Sequence, residues 1–155
     1  MYNVVDAYDT SLTRTTPTGL SSSRQSLAAT TVGNYALFGG GGAANSLSTS
    51  AVVDAYDTSL TRKNTAGLSK SRDNLAATTV GNYALFGGGG GSSSSSTYAV
   101  VNAFDTSLTL TTPTGLSKSR DNLAATTVGN YALFGGGGNY NGSTDYSVVD
   151  VYQVT

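Results

Sequence analysis

Arg24, Arg72 and Arg120 stand at equal intervals of 48 residues, each just ahead of a run of small side chains. A guanidinium is a planar fork of donors that matches a carboxylate or a pair of carbonyls. Two roles are open to the three of them. They can buttress neighbouring sheets by pairing with backbone carbonyls or turn carboxylates, or they can form a ring of cations that receives an acidic ligand. Paired acids recur with the same step, Asp6 with Asp9 and Asp54 with Asp57, and such pairs suggest acid–base work. Asp9 and Asp57, however, open polar turns, where an aspartate accepts hydrogen bonds from the amides that follow it. Asn102 also replaces one acid in a later copy, which a turn or packing role tolerates. These pairs read as structural.

Composition removes most other chemistry. The chain has no Cys and no His, so disulfides, zinc–thiolate sites and the usual neutral-pH general base are all missing. No Ser–His or Cys–His pair exists for covalent catalysis. The expectation is a protein that is not an enzyme and needs no cofactor or metal. A bound cation would need carboxylates and carbonyls, and no clustered acidic loop supplies them. The glycine runs at 39–42 and 87–91 lack the Lys-Ser/Thr ending of a phosphate loop, and no helix follows them. Eight Lys and Arg against nine Asp and Glu give a net charge of −1, which steers the chain towards neither nucleic acid nor an anionic membrane. The text shows no signal peptide or transmembrane span, and localisation stays undetermined.

The elements that position these residues are set by one nonapeptide, Val-Gly-Asn-Tyr-Ala-Leu-Phe-Gly-Gly, at 32–40, 80–88 and 128–136. A fixed period of this size signals a repeat architecture. Within each period, residues 27–32 form a strand of small side chains, and Gly33-Asn34 is a two-residue hairpin turn of type II′ pattern. Residues 35–38 follow as a strand apolar at both parities, so both of its faces must be covered. After a loop, 52–57 reads as a third strand, and a short polar strand (12–16 in the first copy) ends at Pro17 and Gly19. The third-strand text occurs four times, at 4–9, 52–57, 100–105 and 148–152. No segment has a helical period.

A small sheet covered on both faces cannot stand alone, but it can stack on copies of itself around an axis with the small-residue strand innermost. The unit is a propeller blade, and the fold class is an all-β propeller of four-stranded antiparallel blades. The order Arg, small strand, aromatic–aliphatic strand ending in Gly-Gly, variable loop, then Val-Val-Asp-Ala-Tyr-Asp resembles kelch repeats along the whole chain. One departure is the missing Trp of the outer strand; the nearby apolar positions are Leu12, Leu60 and Leu108. Some kelch proteins are copper oxidases or sugar-processing enzymes, but that copper site needs imidazoles this chain lacks.

Residues 1–155 read as one domain of three blades' worth of text plus a surplus third strand at 146–155. Closed propellers need at least four blades, so a half-ring per chain and a homodimeric six-bladed ring are expected. In that ring strands 4–9 and 148–152 compete for one slot; the N-terminal hairpin is expected to fill it, leaving the C-terminal copy peripheral. The copies differ mainly at two places, the loop after each Gly pair and the outer strand, where Arg14-Thr15-Thr16-Pro17 becomes Arg62-Lys63-Asn64-Thr65 and Leu110-Thr111-Thr112-Pro113. On the rim of those loops the candidate ligand-binding residues are Asn45, Tyr98, Tyr140, Asn141, Asp145 and Tyr146, with Arg24, Arg72 and Arg120 at the pore mouth. The expected function is a non-enzymatic scaffold for a protein or glycan. Its alternative is a truncated, amplified or designed repeat protein that only self-assembles.

Overall fold

The computed structural model describes residues 2–43, 48–92 and 96–155, and its strands fall into four antiparallel sheets with no helix among the described residues. An N-terminal hairpin pairs β1 (Ala7–Tyr8) with β2 (Arg14–Thr15). Blade 1 runs β3 (Ala28–Val32), β4 (Tyr35–Gly39), β5 (Val53–Tyr56) and β6 (Arg62–Lys63). Blade 2 repeats it as β7 (Ala76–Val80), β8 (Tyr83–Gly87), β9 (Val101–Phe104) and β10 (Leu110–Thr111). Blade 3 has only three strands, β11 (Ala124–Val128), β12 (Tyr131–Gly135) and β13 (Val149–Gln153).

Local chemistry sets each reversal. Val32 pairs with Tyr35 across a two-residue turn in which Gly33 has φ +52° and Asn34 does not turn positive, as a type II′ turn requires. Asp9 Oδ1 accepts hydrogen bonds from the Ser11 and Thr13 amides, both at 2.9 Å, and Asp57 and Asp105 repeat the arrangement. One acid of each suspected catalytic pair, Asp9 and Asp57, is therefore occupied as a turn brace. Those turns hold Leu12, Leu60 and Leu108 at φ near +60°, a conformation that costs a β-carbon residue about 1 kcal/mol.

The cores lie between blades. Val32, Leu37, Val53 and Ala55 of blade 1 close on Leu75, Ala84, Phe86 and Phe104 of blade 2, and the same step joins blade 2 to Phe134 and Ala132 of blade 3. The ring of Phe86 rests on Gly39, where a β-carbon would lie 2.8 Å from it; Phe134 rests on Gly87 in the same way, at 2.7 Å. Along the inner strands, hydroxyls join the blades, Thr30 to Thr79 at 2.7 Å and Thr78 to Thr127 at 2.8 Å. Backbone rungs Asn74 N to Ser26 O and Asn122 N to Asn74 O, both 2.9 Å, add a second ladder.

Two expectations change. The outer strands are two residues long rather than five, because an edge bonded on one side only has little to extend it. The N-terminal strand shrinks from 4–9 to Ala7–Tyr8, since no second strand flanks it. Within the single chain β13 pairs with β12 from Gly135↔Val149 to Tyr131↔Gln153 and occupies the third-strand slot of blade 3; the expected competition with the N-terminal hairpin concerns two chains.

Candidate functional site

The three arginines face inward. Arg24 is 5% exposed and Arg72 and Arg120 are fully buried, because each chain of methylenes crosses the sheet and delivers its fork to the carbonyl of the buried Phe strand. Nη2 donates to Phe38 O at 3.0 Å, Phe86 O at 3.1 Å and Phe134 O at 2.9 Å respectively. Arg24 Nη1 donates to Asp54 Oδ2 at 2.8 Å, and Arg120 Nη1 lies 2.9 Å from Asp150 Oδ2. Each carboxylate also accepts the amide of the linker before the arginine, Ser21 or Ser117. The arginines are buttresses. The cationic ring expected at the rim does not form, since a guanidinium left there would forgo both a carbonyl and a buried ion pair.

The middle copy breaks the pattern. Asn102 stands where Asp54 and Asp150 stand, accepts from the Ser69 amide, and gives its Nδ2 to Ser69 Oγ and Thr112 Oγ1. Arg72 keeps only its bond to Phe86 O, and its Nε and Nη1 have no partner among the described residues. Desolvation without a carboxylate pulls its pKa from 12.5 down to about 10.

The rim is acidic and aromatic. In blade 3 the loop between β12 and β13 braces itself: Asn139 N bonds Thr144 O at 3.0 Å, Gly142 N bonds Asn139 O at 3.0 Å, and Thr144 N bonds Asn139 Oδ1 at 3.1 Å. That frame holds Tyr140, Asp145 and Tyr146 around a pocket of about 330 Å³ closed below by Asp121 and Asn122. Asn141 does not line it; its Oδ1 accepts the Ser143 amide instead. Tyr98, in the equivalent loop of blade 2, is half-buried and packs under Lys70, whose Nζ is 5.5 Å from the ring centroid. Asn45 lies outside the described residues.

Sequence reading missed Asp73 and Asp121, the residues immediately after two of the arginines. Gly90 sits between them, with a β-carbon there 3.5 Å from one carboxylate and 3.4 Å from the other. Burial, and to a smaller extent the Asp121 charge, push the Asp73 carboxyl above its ordinary value. The signal was in the text as Arg24-Gln25 becoming Arg72-Asp73 and Arg120-Asp121, a change from neutral to acidic beside an otherwise fixed residue.

Sheets of this order, each with its small-residue strand hydrogen-bonded to the same strand of the next, define a β-propeller-type repeat protein. The solved structure of YjhT, a propeller, superimposes on this chain with a TM-score of 0.80 at 15% sequence identity. The match covers 98% of this chain and 50% of that one, so the chain spans about half the length of its neighbour. Identity that low carries the fold alone. No protein-family model and no curated protein matches the sequence.

Proposed function

We propose that this chain is a kelch-type, non-enzymatic binding scaffold that assembles as a homodimeric six-bladed ring and presents its variable loops on one rim. The observation that carries the ligand half of the reading is the blade 3 pocket. Tyr140, Asp145 and Tyr146, three residues singled out by their variability between copies, line one cavity with Asp121 and Asn122. Two carboxylates, two amides (Asn122 and Asn139) and two phenols suit a hydroxyl-rich or basic group, such as a glycan or a basic protein side chain. The buried arginines take no part in it.

The assembly half rests on size. A blade face about four strands wide at 4.8 Å and some 20 Å long is roughly 400 Å². Two seams, each covering two such faces, would bury about 1,600 Å², the area of a stable protein interface. A ring of two chains also accords with a match that spans half of a propeller chain.

A glycan and basic-peptide array tests the ligand. Binding that Tyr140→Ala and Asp145→Asn each weaken at least tenfold supports the pocket; binding unmoved by both, or lost with the Gly33-Asn34 turn, refutes it. A second reading, self-assembly with no evolved ligand, is favoured by the near-identity of the three copies, and an array silent for a folded dimer would establish it.

A further inference from the structure

The end faces of the chain carry unmatched halves of each contact that joins its blades. Phe86 sits on Gly39 and Phe134 on Gly87, but Phe38 has no glycine beneath it and a β-carbon at Gly135 would meet only Val149, at 3.6 Å. Gly40 and Gly88 abut Leu75 and Leu123, whereas a β-carbon at Gly136 would meet nothing within 4 Å. Gly41 N bonds Arg72 O and Gly89 N bonds Arg120 O, both at 2.9 Å; the next donor in step is Gly137 N, and the free acceptor is Arg24 O. The face of blade 3 is thus complementary to the face of blade 1, and a second copy supplies the match for both. This step rests on the homodimer reading above.

Docking those faces decides what happens to the strands at the seam. The segment that follows the β1–β2 hairpin is held against blade 1 as the segment after β5–β6 is held against blade 2: Asp54 Oδ2 accepts the Ser21 amide at 3.2 Å and Tyr56 donates its hydroxyl to Thr18 O at 2.9 Å, and Asn102 Oδ1 accepts the Ser69 amide at 3.2 Å. When blade 1 of one copy docks on blade 3 of another, its hairpin arrives at the slot that β13 holds. Beside the hairpin lies a groove of about 340 Å³ lined by Val4, Val5, Ala28, Ala29 and Phe38, where the two inner strands of that sheet are missing.

We infer that β13 is a placeholder, and that on assembly the β1–β2 hairpin of a second copy displaces it, so that Arg120 exchanges Asp150 for Asp6 of that copy. Asp6 is one repeat upstream of Asp54, and the arginine that would face it in step is one repeat upstream of Arg24, a position that Arg120 of another copy fills. In the single chain Asp6 is exposed and, among the described residues, is held by Thr16 Oγ1 at 3.3 Å and Arg14 at 3.8 Å. Tyr8 is 63% exposed, whereas Tyr56 and Tyr152 donate their hydroxyls to Thr18 O at 2.9 Å and Thr114 O at 2.8 Å. In the slot Tyr8 would reach Thr114 O of the other copy. The incoming hairpin also brings β2, the outer strand that blade 3 lacks, so exchange completes a four-stranded blade where β13 leaves three.

Cysteine pairs in this cysteine-free chain read the exchange directly. Leu133 faces Val151 across β12 and β13, and in the exchanged blade it faces Ala7 of the other copy, at ladder separations a disulfide can span. With Ala7→Cys and Leu133→Cys, oxidation should give a covalent dimer. With Leu133→Cys and Val151→Cys, the bridge should form within one chain and lock it as a monomer. Opposite signs are expected from two point variants measured by sedimentation: Asp6→Asn weakens the dimer about tenfold, and Asp150→Asn tightens it about tenfold by loosening the competitor. A dimer unaffected by the Leu133–Val151 bridge, or weakened equally by both point variants, overturns the exchange and leaves the ring intact. A native chain that stays monomeric at micromolar concentration overturns the ring itself.

Discussion

Replacing Asn102 by Asp should stabilise the protein more than any other single polar substitution in its interior. Arg72 is fully buried, keeps one hydrogen bond, and has its pKa drawn from 12.5 to about 10 by desolvation. A shift of that size corresponds to about 3 kcal/mol lost to holding an uncompensated charge, at 1.36 kcal/mol per unit. The flanking copies show the remedy in place, with Arg24 Nη1 on Asp54 at 2.8 Å and Arg120 Nη1 by Asp150 at 2.9 Å. The new carboxylate would keep the Ser69 amide that Asn102 already accepts and turn the Thr112 hydroxyl from acceptor to donor, as Thr16 donates to Asp6. Its own desolvation subtracts from the gain, so about 2 kcal/mol is expected, or roughly 4–8 °C in the melting temperature of a chain this size. Thermal unfolding by circular dichroism at pH 7 and pH 2.5 is the assay. The new acid has its pKa lowered by Arg72, so its contribution is present above the unfolded value near 3.9 and disappears as pH falls through the folded one. A melting temperature unchanged or lower at pH 7, or a gain that persists at pH 2.5, would refute this account of Arg72.

Arg24→Met should lose about 3–5 kcal/mol in urea unfolding because it strands the buried Asp54, whereas Arg72→Met should change stability by less than about 1 kcal/mol. Gly87→Ala should cost about 1–3 kcal/mol through the Phe134 ring, while Gly135→Ala, which meets only Val149, should leave the chain's stability alone and abolish its self-association by blocking Phe38 of the second copy. Burial, then the Asp150 charge, raise the Tyr152 phenol to about 12, so it favours the fold fully below pH 10 and loses that contribution as pH climbs from 10 to 12; a Tyr152→Phe chain should lack this alkaline decline. Asp73 has a raised pKa, so it opposes folding at neutral pH and relents as pH falls; Asp73→Asn should raise the melting temperature at pH 7 and flatten its acid dependence.

The fold was legible in the sequence because every interior contact is periodic. Apolar text at both parities in residues 35–38 demands cover on two faces, and the interblade cores provide it. The Gly pairs predicted crowding, and Phe86 on Gly39 is the crowding. The direction of the arginines was not legible, because a spacing of 48 places a residue on a blade without saying whether its fork turns to the pore or to the Phe38 carbonyl. That choice is made by the buried Phe carbonyl that each guanidinium reaches in all three copies, Arg72 included though no acid faces it, a three-dimensional property that one-dimensional spacing does not contain. Asp73 and Asp121 were missed for the converse reason: they sit beside residues that held attention for being constant, while their own change from Gln25 carried the charge of the rim.

The same periodicity explains where specificity must lie. Each contact inside the array is satisfied by a residue one repeat away, so the interior can accept identical text indefinitely and discriminates between no partners. Several places escape the repeat, among them the outer strands, the change from Gln25 to Asp73 and Asp121, the loops after each Gly pair, the Asp-to-Asn change at 102, and the two ends. The loops hold the pocket, and the change at 102 is internal and costs stability. The ends hold Phe38 without its glycine, Gly135 without its ring, and Asp6 without its arginine. Two contacts missing in register, the Phe–Gly contact and the Asp–Arg pair, would be satisfied together by a second copy, whereas an unrelated partner would have to reproduce both by coincidence.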